Sequence, residues 1–111
     1  MNLTDAKAEF KKAESVTGNT VSSMLVQGMS PIIVLAGLGA TLAKLLASAA
    51  ECAPEDPNFV SSFVDTLMQA TDGLRQNIRD DGGPEAIVKQ AEARGFDLGE
   101  FSPRPAKRKL N

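Results

Sequence analysis

The stretch from Pro31 to Ala49 constrains this chain most: nineteen residues carry one charge, Lys44. Its mean hydropathy is about 1.8, near the level at which a window is read as membrane-spanning. A helix this apolar has to be covered, whether by other helices of the chain, by a second copy or by lipid. Three features favour protein over lipid. Lys44 lies inside the window rather than at its edge, the chain has no Trp or Tyr to form an interfacial belt, and no cations flank either end. The following helix also brings a Phe/Leu stripe that needs cover in turn. A buried central helix is therefore expected. The alternative is a holin-like span over residues 31–49, in which Ala36, Gly37, Gly39, Ala40 and Ala43 let a partner helix approach. A secretory signal does not fit, because the apolar run starts 30 residues in, behind a mixed-charge helix.

Around this segment helical periodicity recurs, and no stretch alternates apolar and polar residues over a strand's length. Thr4 offers an N-cap to a first helix with Ala6, Phe10, Ala13 and Val16 on one stripe, which Gly18 is expected to end. A second segment, Val21 to Met29, follows a cap at Asn19 or Thr20 and is interrupted by Gly28. Ser30-Pro31 reads as the N-cap and first position of the apolar helix. That helix runs through Ile32, Ile33, Val34, Leu35, Leu38, Leu42, Leu45 and Leu46 until Ala53-Pro54 stops it near Glu51 or Cys52. Asp56-Pro57 repeats the starting device. In the helix after it Phe59, Phe63, Leu67, Leu74 and Ile78 share a face, widened by Val60, Val64 and Met68, while Asp65, Gln69, Asp72 and Arg75 lie elsewhere. Asp80-Asp81-Gly82-Gly83 ends it. Pro84 opens a last helix to Arg94, where Gly95 follows the C-cap and Phe96 folds back toward Ala91.

The link from Ala53 to Asp56 forces a tight reversal, so the two long helices are expected to pack antiparallel. The predicted fold is all-α: a small helical bundle built on a long antiparallel helical hairpin, with short flanking helices. One domain covers residues 1–101, and a flexible basic tail covers 102–111. Glycine inside a helix costs up to about 1 kcal/mol and is kept more readily where another helix passes close. Gly37 and Gly39 point about 200° apart, so one is expected to face the hairpin partner and the other a second chain. The expected helix–helix or oligomer interface is Gly37, Leu38, Gly39, Leu42, Leu45, Phe59, Phe63 and Leu67. A helix apolar over most of its circumference exceeds what two neighbours cover, which predicts a homo-oligomer.

Composition removes most catalytic chemistry. The chain has no His and one Cys, so His triads, His metal sites and thiolate zinc sites cannot be built within one chain. Cys52, at the end of the apolar helix, has no visible base and reads as a small buried or half-buried residue. Glu51, Glu55 and Asp56 cluster near the reversal and Asp80-Asp81 follow the next helix, yet neither place has the alternating ligand spacing of a calcium loop. Gly82-Gly83 lacks the Lys-Ser/Thr of a phosphate loop. The chain is expected to have no catalytic residue, no metal and no cofactor.

The net charge of −2 conceals a polarity. Residues 102–111 hold Arg104, Lys107, Arg108 and Lys109 and no acid, which leaves residues 1–101 with eight cations against fourteen acids, a charge of −6. An acidic body repels nucleic acid and suits a basic protein surface, through Glu51, Glu55, Asp56, Asp65 and Asp72. The tail has three readings: a solubilising end, an electrostatic contact to nucleic acid or to an acidic partner, and a nuclear-import signal, which Lys107-Arg108-Lys109 resembles. With no aromatic residue to stack on bases, the tail does not support sequence-specific recognition.

The sixteen residues Gly83-Pro84-Glu85-Ala86-Ile87-Val88-Lys89-Gln90-Ala91-Glu92-Ala93-Arg94-Gly95-Phe96-Asp97-Leu98 resemble the closing helix and Gly-Phe-Asp turn of Nif-type leader domains, which precede modified peptides in bacterial precursors. No double-glycine cleavage site follows them. The layout as a whole resembles small helical accessory proteins of bacteriophages and mobile elements. The expectation is a non-enzymatic protein–protein interaction module, a self-associating accessory or inhibitor protein that binds a larger partner through its acidic surface. It would be cytoplasmic, in a bacterial host if phage-derived. A membrane-inserting helical protein and a virion or nucleoprotein component touching nucleic acid through the tail are the alternatives.

Overall fold

The computed structural model describes residues 2–101, and the basic tail with Arg104, Lys107, Arg108 and Lys109 lies outside them. The chain forms α1 (Leu3–Val26), α2 (Pro31–Cys52), α3 (Phe59–Asp80) and α4 (Gly83–Arg94), then a 3-10 turn at Leu98–Phe101. No strand occurs among the described residues. Asn2, not Thr4, caps α1: its side-chain oxygen accepts the Asp5 N–H at 2.9 Å. Gly18 does not end the helix, and there is no restart at Asn19-Thr20. One glycine lowers helix propensity by about 1 kcal/mol, and Ser15, Val16, Thr17, Asn19 and Thr20 around it are weak formers too, so local propensity does not account for the continuous helix. The Thr20 hydroxyl instead donates to the Val16 carbonyl inside the continuing helix, at 2.9 Å. The end comes at Gly28, whose φ of +98° only glycine adopts without strain. There Gly28 N–H donates to the Leu25 carbonyl and Met29 N–H to the Met24 carbonyl, both at 3.1 Å, which closes the helix end.

Pro31 opens α2 as expected, although the Ser30 hydroxyl makes no capping bond; the Ser30 carbonyl accepts from Ile33 and Val34 N–H at 3.0 Å. Cys52 is the last residue of α2, and Ala53 follows as its C-cap. α3 starts two residues beyond Asp56-Pro57, with Asn58 at the N-cap. The Asp56 carboxylate accepts the Asn58 N–H at 3.3 Å and its carbonyl accepts the Phe59 N–H at 3.2 Å, so Asp56 orders the reversal rather than capping the helix.

Neighbouring helices touch in chain order, α1 on α2, α2 on α3 and α3 on α4, and the 3-10 turn reaches back to α2 and α4. The arrangement is open. The Cα radius of gyration is 17.1 Å with extents of 55 × 30 × 27 Å, against about 13 Å expected for a compact chain of this length. Leu25, Pro31 and Val34 are buried at the α1–α2 corner and Ala91 is buried on α4. The central helix expected to be buried is not: only 6% of the residues in its most apolar window are buried, although Ile32, Leu38, Leu42 and Leu46 are half-buried. Loops too short to wrap neighbours around α2 leave it with sparse contact to α3 and a corner with α1.

Candidate functional site

At about 100° per residue, α3 places Val60, Val64, Leu67, Thr71, Leu74 and Ile78 in one seam, at alternating spacings of four and three. Phe59, Phe63 and Met68 flank it. α2 carries the same alternation at Pro31, Leu35, Leu38, Leu42, Leu45 and Ala49. Both helices are 22 residues long, so the seams match in length.

These seams are partly open. Phe59, next to the reversal, is half-buried; Val60, Phe63 and Val64 are 38–39% exposed, Leu67 46%, Met68 61% and Leu74 62%. Exposure thus rises along α3 away from the reversal, which means that α2 covers the start of α3 and then diverges from it. Ile78 is half-buried again, in a small cavity that it shares with Leu74, Ala86 and Ile87 of α4. On α2, Leu38, Leu42 and Leu46 are half-buried while Leu35 and Leu45 are 52% and 68% exposed.

Gly37 and Gly39 are exposed, and a Cβ built at either meets nothing within 4 Å. The close helix crossing expected at one of them is therefore not made within the chain. Gly37 instead borders a groove of about 470 Å³ between α1 and α2, floored by Val34 and Leu38 and walled by Met24, Met29 and Ile33. Periodicity within single helices could not find this groove, because the corner at Gly28 to Pro31 sets which faces of α1 and α2 meet. Its one legible signal is the two methionines beside that corner.

Glu51, Glu55 and Asp56 are exposed around the reversal, and Asp65 and Asp72 are exposed more than about 100° round α3 from the seam. Asp72 pairs with Arg75 at 3.7 Å, with both side chains more than half exposed, so the pair contributes little. Among the described residues no three Cys, Asp or Glu side chains are grouped to hold a metal ion. Cys52 is exposed, not buried; in the last turn of α2 it is Ala49 and Ala50 that are half-buried. The described residues thus carry uncharged apolar seams on α2 and α3, and exposed carboxylates at Glu51, Glu55 and Asp56; on the outside of α3 Asp65 and Asp72 lie among Arg75 and Arg79. No protein-family model, curated protein or solved structure matches this chain.

Proposed function

We propose that the protein is a non-enzymatic helical interaction module that self-associates through the apolar faces of α2 and α3 and presents its acidic face to a larger protein with a basic surface. The observation that carries this reading is the largely open α2: its most apolar window has a mean hydropathy of 1.9, and 6% of the residues in it are buried. Leaving that surface in water forfeits about 25 cal/mol for every Å² that could be covered, so a partner is strongly favoured. The antiparallel hairpin expected from the short reversal is the frame of the reading, since its open end supplies the contact face. An accessory or inhibitor protein of phage or mobile-element type suits a module of this size and layout.

Affinity capture with the full chain tests the acidic half of the proposal. A protein partner held by the parent and lost by Asp65→Arg/Asp72→Arg, with the melting curve unchanged, is the expected result. Binding that survives reversal of these acids and of Glu51, Glu55 and Asp56 would overturn it.

One observation favours a second reading. The 22 residues of α2 span about 33 Å, enough to cross the roughly 30 Å hydrocarbon core of a bilayer. Lys44 weighs against a span, lying well inside the segment with no acid beside it on α2 nearer than Glu51.

A further inference from the structure

We propose that the surface covering the open α2–α3 face is the same face of a second copy, so that two hairpins close one four-helix bundle. This rests on the self-association reading above and names its partner, stoichiometry and residues.

The shape of the opening comes first. Cover is lost progressively from Val60 to Leu74 and regained at Ile78, so the uncovered surface is a bounded stretch between the reversal and α4. A seam alternating four and three residues suits a neighbouring helix that runs alongside at a shallow angle, the geometry of four-helix bundles. On α2 the first half of the seam is turned inward, since Pro31, Leu35 and Leu38 line a cavity with Val21 and Leu25 of α1 and Phe101, so the surface offered to a two-fold mate is the α3 seam with the second half of α2: each copy offers the surface it receives.

Charge limits where two copies can meet. A body at −6 repels another over most of its surface, but no seam position on α2 or α3 carries a charge. Asp65 and Asp72 point away from the seam and stay in water when it closes.

Leu45 and the exposed apolar side chains between Val60 and Leu74 offer on the order of 600 Å² per chain, below the ~800 Å² per partner of a standard specific interface and within the range of reversible ones. Lipid would cover the whole circumference of α2, Lys44 included, and would leave the α3 seam unmatched, so a second copy accounts for more of the surface.

Light scattering and thermal melting of the full chain, in detergent-free buffer over a hundredfold concentration range, test the proposal. The parent is expected at about twice 11.7 kDa with a melting midpoint that rises with concentration. Leu67→Gln/Leu74→Gln, at positions already 46% and 62% exposed in one chain, is expected to weaken association at least a hundredfold and to shift the mass to one chain. Phe10→Gln, equally exposed on α1 but off the seam, should leave the mass unchanged. A single-chain mass and a fixed midpoint at every concentration would overturn the proposal. So would a doubled mass that the seam variant retains, or material recovered only with detergent or phospholipid vesicles. Should the seam variant lose its helicity, the concentration dependence of the parent's midpoint still decides between one chain and two. Failure here leaves capture of a basic partner by the acidic face standing, because that test uses other residues and another readout.

Discussion

The backbone N–H of Phe96 donates to the carbonyl of Ala91 at 3.1 Å, across a Gly95 held at a φ of +98°. Ala91 is buried, at 3% exposure, and the closure turns the backbone into the 3-10 segment that meets α2. Two residues five apart thus tie the end of the chain to its middle.

Gly95→Ala should destabilise the protein by about 1 kcal/mol, since a methyl there meets nothing within 4 Å and the cost is the left-handed backbone alone. A melting midpoint lowered by roughly 4–8 °C is the expected reading. No change would mean that the Phe96 closure is not kept in solution.

Gly18→Ala and Gly73→Ala should do the opposite. Both glycines lie inside helices without positive φ, and a Cβ at either meets open space. Each substitution should stabilise by about 0.5–1 kcal/mol, additively, as seen by denaturant titration. Loss of stability at Gly18 would show that α1 breaks there.

These glycines also show what the sequence made legible. Gly28 and Gly95 end helices as their surroundings predict, Gly28 because Ser30 before proline cannot stay helical, whereas α1 runs through Gly18 although the weak formers Asn19 and Thr20 after it read as a stop and a new cap. Pro31 and the Asp80 to Gly83 stop were readable on the same grounds. Burial was not. The stripes of α2 and α3 read identically whether their cover comes from each other, from another chain or from lipid, because periodicity records that a face is apolar and not what meets it. The loose contact between α2 and α3 and the groove beside Met24 depend on loop geometry that no spacing encodes.

Asn2→Ala should remove the α1 cap, a change of about 1 kcal/mol confined to the first turn. Thr4→Ala should be close to neutral. Hydrogen exchange at the Asp5 amide reads the difference, with faster exchange expected only in the Asn2 variant; faster exchange in the Thr4 variant would reinstate Thr4 as the cap.

Cys52→Ser should shift the melting midpoint by no more than about two degrees, as substitutions at exposed sites do. Partner capture should be unchanged. A folded variant that captures nothing would give the thiol a role that its exposed position on the last turn of α2 does not suggest.

The central claim is that protein, not lipid, covers the apolar face of α2. Flotation of the full chain with phospholipid vesicles on a density gradient tests it most directly. The chain is expected to stay in the dense, detergent-free soluble fraction, at the same position with and without vesicles. Rising with the vesicles, and resisting extraction at high salt, would contradict the account and make residues 31–49 a membrane segment.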